Sequence, residues 1–224
     1  CRNLPQVHTI VRMIRIITEV VCPGVLLLGE VVMEPDKLAP YFGTPDKPEC
    51  HVLYNVTTMA STWHTVATGD TALLRRQLDI LAGLPRNCVF QNYLRCHDDI
   101  GWGLDYGFLA QFGIQEIPHK KYLNDFFTGK TANSFAIGEL YNDDPRLGGT
   151  TASLCGIERA GFAGDKAAQE RAIRYDLTLH AFMLSQSGIP VLYSGDEIGQ
   201  LNDYSYKNDP EKAADSRYLH RGRF

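Results

Sequence analysis

The sequence predicts an α/β protein built on a parallel sheet, and three observations predict it. Helical segments alternate with short apolar runs along the 224 residues, the order that joins parallel strands through crossover helices. The most apolar run, "GVLLLGEVV" at 24–32, is continuous, as expected of a strand covered on both faces. Polar residues gather where three of the four runs end: Glu30 after "LLLG", His97 with Asp98 and Asp99 after "YLRC", and Asp196 with Glu197 after "LYSG". That end of a parallel sheet is where ligands bind, in open sheets and barrels alike.

The elements follow in order. In "LPQVHTIVRMIRIITEVV", Val7, Ile10, Val11, Ile14 and Ile17 fall at helical spacing, with Arg12, Arg15 and Glu19 off that stripe, and "CPG" ends the helix. "GVLLLGEVV" is the first strand, "PDKLAPYFG" a short helical turn at most, and "CHVLYNVT" the second strand. "TALLRRQLDILAGL" is an amphipathic helix closed by Gly83 and Pro85, and "NCVFQNYLRCHDD" is a third strand ending in charge. "QERAIRYDLTLHAFMLSQSG" is a long helix, with "IPVLYSGDE" the fourth strand directly after it. Between the third strand and that helix, roughly residues 100–149 form a connection far longer than an ordinary βα loop. Such a connection is usually functional or a small subdomain.

Composition narrows the function classes. Hydrophobic content of 44% and charged content of 21% are those of a globular chain and exclude disordered and collagen-like classes. A net charge of -4 gives no basic field, which argues against nucleic acid and anionic membrane surfaces as partners and suits a neutral small molecule. The six cysteines (Cys1, Cys22, Cys50, Cys88, Cys96, Cys155) contain no C-x-x-C pair and read as reduced thiols in a cytoplasmic chain. No apolar run is long enough to span a bilayer. "CRNLPQ" has neither an initiating Met nor a signal-peptide core, so the sequence reads as starting inside a longer protein.

Glu30 is the oddity. A carboxylate among Val and Leu costs several kcal/mol unless it is paired, hydrogen-bonded or kept protonated. Two readings stand at this point: a core ion pair, or a carboxylic acid whose raised pKa is used. Cleaving a glycosidic bond needs such an acid to protonate the leaving oxygen, and a second, ionised carboxylate to stabilise the positive charge that develops on the sugar. His97, Asp98 and Asp99 could supply that charge or form a solvated strand end, and Trp102 with Tyr106 just beyond offers aromatic faces for a sugar.

"RCHDDIGW", "LGEVVMEPDKLAPYFG", "PVLYSGDEIGQLND" and "DSRYLHRGRF" together resemble the α-amylase superfamily, and most closely its amylosucrase and sucrose hydrolase branch, over nearly the whole chain. The resemblance implies the C-terminal half, strands five to eight, of a (β/α)8 TIM barrel with a long insertion after strand seven. It matches Glu30 to the family's acid/base and Asp98 to its transition-state stabiliser, with His97 hydrogen-bonding the glucosyl ring. Asp99 and Arg146, in "DPRLGGT", match residues around the glucosyl and fructosyl rings. Arg217 matches an Arg that closes the glucose pocket through a salt bridge to an Asp near the start of the full barrel. Arg146 as a mere loop anchor and Arg217 as a turn cap stay open, and "GDE" at 195–197 is implied to shape the loop after strand eight.

The sequence departs from the branch at Gly222, where a Pro is usual, and at Cys96, where Ser is frequent. The family's nucleophilic Asp lies at the end of strand four, upstream of this sequence. The expectation is therefore a partial catalytic barrel over residues 1–224, inactive by itself, whose parent takes glucose from sucrose and passes it to an α-glucan or to water. A hydrolase of other α-glucosides, a phosphorylase and a non-catalytic carbohydrate-binding relative remain alternatives. The resemblance implies no cofactor, neither nucleotide nor metal.

Overall fold

The structure, a computed structural model, describes residues 3–33, 35–141 and 145–222, with only the backbone of residues 35 and 36. The chain begins with helix α1 (Pro5–Val21), whose Pro occupies the first turn, where its missing N–H has no role. Strand β1 (Leu28–Gly29) leads through α2 (Pro35–Leu38), a 3-10 turn (Ala39–Phe42) and the hairpin β2 (Gly43–Thr44) and β3 (Lys47–Pro48) to β4 (Val52–Tyr54). Helices α3 (Val56–Thr68) and α4 (Ala72–Ala82) then carry the chain to β5 (Val89–Asn92). The segment that follows folds as α5 (Tyr106–Ala110), α6 (Glu116–Phe127) and the antiparallel pair β6 (Glu139–Leu140) and β7 (Leu147–Gly148). Helices α7 (Thr151–Leu154), α8 (Ile157–Ala163) and α9 (Lys166–Ser185) precede β8 (Ile189–Pro190), and three 3-10 turns (Asp196–Ile198, Tyr204–Asn208, Ser216–Leu219) close the described chain.

The expected parallel sheet is present, with strand order β1-β4-β5-β8. Leu28 pairs with Val52, Leu53 with Phe90, and Gln91 with Ile189, all in parallel register. Every strand therefore ends at the same rim.

Helix α3, absent from the sequence expectation, is the central helix and is buried on nearly all sides. Its many threonines and serines hide a helix from a periodicity argument. They are tolerated in the interior because Thr62, Thr65 and Thr68 return their hydroxyl hydrogen bonds to the carbonyls of Thr58, Ser61 and His64. Gly69, at φ +71°, supplies the left-handed residue that ends it. Trp63 sits at the centre, donating to the Leu94 carbonyl at 2.7 Å and meeting Phe127 edge-on. Trp102, Leu104, Leu109, Leu123, Phe126 and Leu147 join the same core. The long segment after β5 is thus packed into the main core.

Two expectations are corrected. "GVLLLGEVV" forms only a short strand at the edge of the sheet: Val25 is 49% and Leu26 62% exposed, and Glu30 is exposed with them. Among the described residues nothing pairs with the outer side of β1, so the apolar surroundings expected around Glu30 are missing on that side. In α1, Val7 and Val11 pack against the smaller core cluster, but Ile10, Ile14 and Ile17 are exposed. The helix is turned by its charges. Arg12 and His8 hold the two oxygens of Glu49, whose side chain is completely buried, and Arg15 donates to the Glu49 carbonyl at 3.0 Å. The buried glutamate of this region is Glu49, not Glu30.

Free Cys50 and Cys155 are buried, Cys88 and Cys96 half-buried and Cys22 exposed, while Cys1 lies outside the described residues. No helix of the described residues is long and apolar enough to cross a membrane.

Candidate active site

Glu30 directly follows β1, and Asp98 follows β5 after the short run Tyr93 to His97, so parallel topology puts both at one rim. Three side chains between them feel both. Burial raises the pKa values of Tyr54, Tyr93 and Cys96, and the negative charges of Glu30 and Asp98 add to the rise in each. Both carboxylates thus add negative charge near the ends of β4 and β5.

Asp98 is held from the C-terminal segment. Arg217 donates from Nη1 to Asp98 Oδ1 at 2.8 Å. Its remaining fork goes to Asp215, Nε to Oδ1 at 2.8 Å and Nη2 to Oδ2 at 2.9 Å. These hydrogen bonds hold the Asp215 carboxyl below the ordinary range and raise the Arg217 guanidinium. Arg221 donates from Nε to the His97 carbonyl at 2.7 Å. Its Nη2 lies 3.7 Å from Asp98 Oδ1 and its Nη1 3.6 Å from Asp215 Oδ2. The His97 ring is exposed, with Nε2 3.8 Å from Asp98 Oδ2. Within this chain, the fork of Arg217 is occupied by Asp215.

The Asp99 side chain, unlike that of Asp98, is buried. It is only 1% exposed, and Arg146 Nη1 approaches Oδ2 at 3.3 Å. Burial raises its pKa despite the nearby charges of Arg146 and Arg217. Neither Asp99 oxygen makes a hydrogen bond among the described residues. Tyr141 links the two arginines: the guanidinium of Arg146 lies 4.8 Å and that of Arg217 5.0 Å from its ring centre, within cation–π range. Tyr141 and Arg146 face each other because the β6–β7 hairpin closes with Tyr141 N donating to Arg146 O at 2.9 Å.

A buried ion pair lies beneath the rim. Arg95 Nε donates to Asp196 Oδ1 at 2.7 Å, with the two side chains 1% and 2% exposed, and Arg95 Nη1 donates to the His220 carbonyl at 2.8 Å. Thr151 Oγ1 also donates to Asp196 Oδ1, at 3.1 Å. Glu197 folds back to accept from Gly195 N at 2.8 Å. In this structure the "GDE" carboxylates therefore fasten the loop after β8. Arg95, Tyr141, Asp215, His220 and Arg221 had no assigned role in the sequence reading. Arg95 carried a usable signal: like Glu30, it is a charge inside an apolar strand run, and the same question about its burial leads to its partner.

The aromatic expectation is corrected. Trp102 is 4% exposed, donates from Nε1 to Asn124 Oδ1 at 2.7 Å and stacks on Phe127, so it is a core residue with no face free for a sugar. Tyr106 is half-buried against Lys120 and His119 and borders a cleft of about 350 Å³ that also touches Val32, Met33 and Gly103. Among the described residues, no group of three or more His, Cys, Asp or Glu side chains is arranged to hold a metal ion.

No protein-family model matches the chain. Relatives nevertheless cover almost all of it. It is 27% identical to a trehalose synthase of Thermus thermophilus over 213 residues, which span 93% of this chain and 18% of that protein. It is 26% identical to a glucosylglycerate phosphorylase of Escherichia coli (strain K12) over 231 residues, spanning 100% of this chain and 37% of that one. Among solved structures it resembles the sucrose 6F-phosphate phosphorylase from Thermoanaerobacter thermosaccharolyticum, with a TM-score of 0.64 at 16% identity over 98% of this chain and 38% of that chain. The chain thus spans from 18% to 37% of the length of these two curated relatives, and the last likeness is one of fold. The chain is thus similar, over nearly its whole length, to proteins named as a trehalose synthase and a glucosylglycerate phosphorylase.

Proposed function

We propose that residues 1–224 form the second half of a (β/α)8 catalytic barrel in a retaining enzyme that takes glucose from sucrose and passes it to an α-glucan or to water. The observation that carries this reading is the shared rim, where Glu30 and Asp98 act on the same three side chains and Arg217 is bonded to Asp98. The uncovered edge at β1 supports it as well. A further strand laid there would cover Val25, Leu26 and Leu28 and take the segment that carries Glu30 out of water.

The chemistry follows from these positions. Glu30 gives its proton to the bridging oxygen as the C–O bond breaks, and the bond's electron pair leaves with that oxygen. A carboxylate from the other half of the barrel bonds to the anomeric carbon. Asp98 faces the positive charge that develops on the sugar, with His97 beside it. An acceptor hydroxyl then attacks the same carbon, the bond to the nucleophilic carboxylate breaks with its electron pair returning to that carboxylate, Glu30 takes the hydroxyl's proton, and two inversions give net retention. Asp99, Arg146 and Arg217 would line the sugar subsites.

A second reading is phosphorolysis, favoured because curated relatives 24–26% identical to this chain are named glucosylglycerate phosphorylases. The test is to incubate the full-length protein with sucrose, with and without inorganic phosphate, and to identify the products. Fructose with a lengthening glucan or free glucose supports the first reading. Phosphate-dependent glucose 1-phosphate supports the second. No turnover of sucrose, alongside turnover of trehalose or glucosylglycerate, would move the donor away from sucrose.

A further inference from the structure

The segment from Asp215 to Arg221 forms, with Asp98, a closed ring of alternating charges. Arg217 binds Asp98 and Asp215, both at 2.8 Å, and Arg221 stands 3.7 Å and 3.6 Å from the same two carboxylates. Each aspartate therefore lies between two guanidiniums. Arg221 adds a contact that a simple counter-ion would not make: its Nε holds the carbonyl of His97, the residue that sets where the Asp98 backbone begins. Asp215 likewise binds Arg217 twice over, accepting from its backbone N at 3.1 Å as well as from its fork.

The ring is tied to the interior. Buried Arg95, locked on Asp196, donates to the carbonyl of His220, so the chain between the two ring arginines is pinned from below. Stability alone gives little account of such an arrangement. Asp98, Arg217, Arg221 and Asp215 are 38%, 27%, 22% and 26% exposed, and solvent-screened pairs of this kind add little to stability. The contacts instead converge on the aim of one carboxylate. Arg and its many rotamers are suited to this only when the planar fork is fixed, and Asp215 fixes it.

We propose that Arg221 and Asp215 are positioning residues that fix Asp98 for the glycosyl transfer, Arg221 through the His97 carbonyl and Asp215 through Arg217. The proposal rests on the catalytic reading of Asp98 given above.

The experiment is a double-mutant cycle in the full-length protein with an α-glucoside donor. Arg221→Met is expected to lower kcat by roughly 10- to 100-fold, as for a sub-ångström misplacement of a reacting group, with KM changed less than about 3-fold. In an Asp98→Asn background the same change should cost less than about 3-fold, because residues acting through one group are not additive. Arg221→Lys, which keeps the charge without the Nε–H, should recover part of the rate. Asp215→Asn should show the same non-additivity and serves where Arg221→Met fails to fold. Unchanged kcat, or losses that add fully to those of Asp98→Asn, would overturn the proposal. Glu30→Gln separates the two claims. If it runs at the parent rate, the glucoside reading itself fails; if it collapses while Arg221→Met and Asp215→Asn run normally, only the positioning role fails.

Discussion

Arg95 and Asp196 form a buried ion pair, Nε to Oδ1 at 2.7 Å, that ties the end of β5 to the turn after β8. The same guanidinium reaches the His220 carbonyl, so the ground beneath the rim and the segment that grips Asp98 share one anchor.

Arg95→Met should therefore destabilise strongly. Removing one partner of a buried pair leaves the other uncompensated and costs roughly 3–5 kcal/mol. Denaturant titration of the full-length protein checks it. A loss below about 1 kcal/mol would show that Asp196 finds another partner, with Thr151 and His180 the groups nearest it.

Acid should weaken the contact between α3 and α6. Burial first, and the neighbouring imidazole of His119 second, lower the pKa of His64 from 6.5 to about 4, with the two rings 5.1 Å apart. The folded state binds the proton less readily than the unfolded chain, so the stabilisation is complete above pH 6.5 and is lost as pH falls towards 4. The loss is on the order of 3 kcal/mol. His64→Phe, which keeps the ring, should flatten the stability profile between pH 7 and pH 4, as measured by urea unfolding. An unchanged acid slope would mean that other groups set it.

His180 has the opposite sign. Burial lowers its pKa, but the carboxylates of Asp176 and Asp196, 3.4 Å and 3.9 Å from its two ring nitrogens, and a hydrogen bond with the Asp176 carbonyl outweigh burial and raise it from 6.5 to about 10. Its contribution is complete below pH 6.5 and fades as pH rises towards 10. His180→Gln should remove that alkaline decline in the same unfolding measurement, and a decline of the parent's size in the variant would refute the assignment.

Residues 1–224 expressed alone should self-associate and leave sucrose untouched. Both sheet edges are open among the described residues, and apolar side chains line them: Val25, Leu26 and Leu28 by β1, Ile189 and Leu192 by β8, with Ile17 and Val20 on α1. Open edges flanked by such residues pair with other chains. Light scattering should show species larger than the 25.1 kDa monomer. A stable monomer that released fructose from sucrose would contradict the half-barrel reading.

The parallel sheet was legible in the sequence because strand and helix periods differ and the strand ends carry charge. Glu30 and Asp98 were legible as strand-end residues for the same reason, whereas Asp196 lies buried on Arg95 beneath the rim. The rest was hidden where local pattern and tertiary need disagree. Helix α3 is hydroxyl-rich yet central, and its interior fit depends on hydrogen bonds to its own backbone that no periodicity reveals. The orientation of α1 is set by buried Glu49, a residue far away in sequence. Trp102 reads as a sugar platform until its indole N–H is seen satisfied inside the core. The ring through Asp215 and Arg221 joins segments that only the folded chain brings together.

The proposed chemistry depends on Glu30 giving its proton to the leaving sugar. Its most direct test is the turnover of sucrose, trehalose and glucosylglycerate by the full-length protein and by Glu30→Gln, which keeps the side chain's shape and removes the acid. A fall in kcat of roughly 10²- to 10⁴-fold is expected on whichever donor the parent uses, with the fold intact. A Glu30→Gln protein that turns that donor over at the parent rate would contradict it.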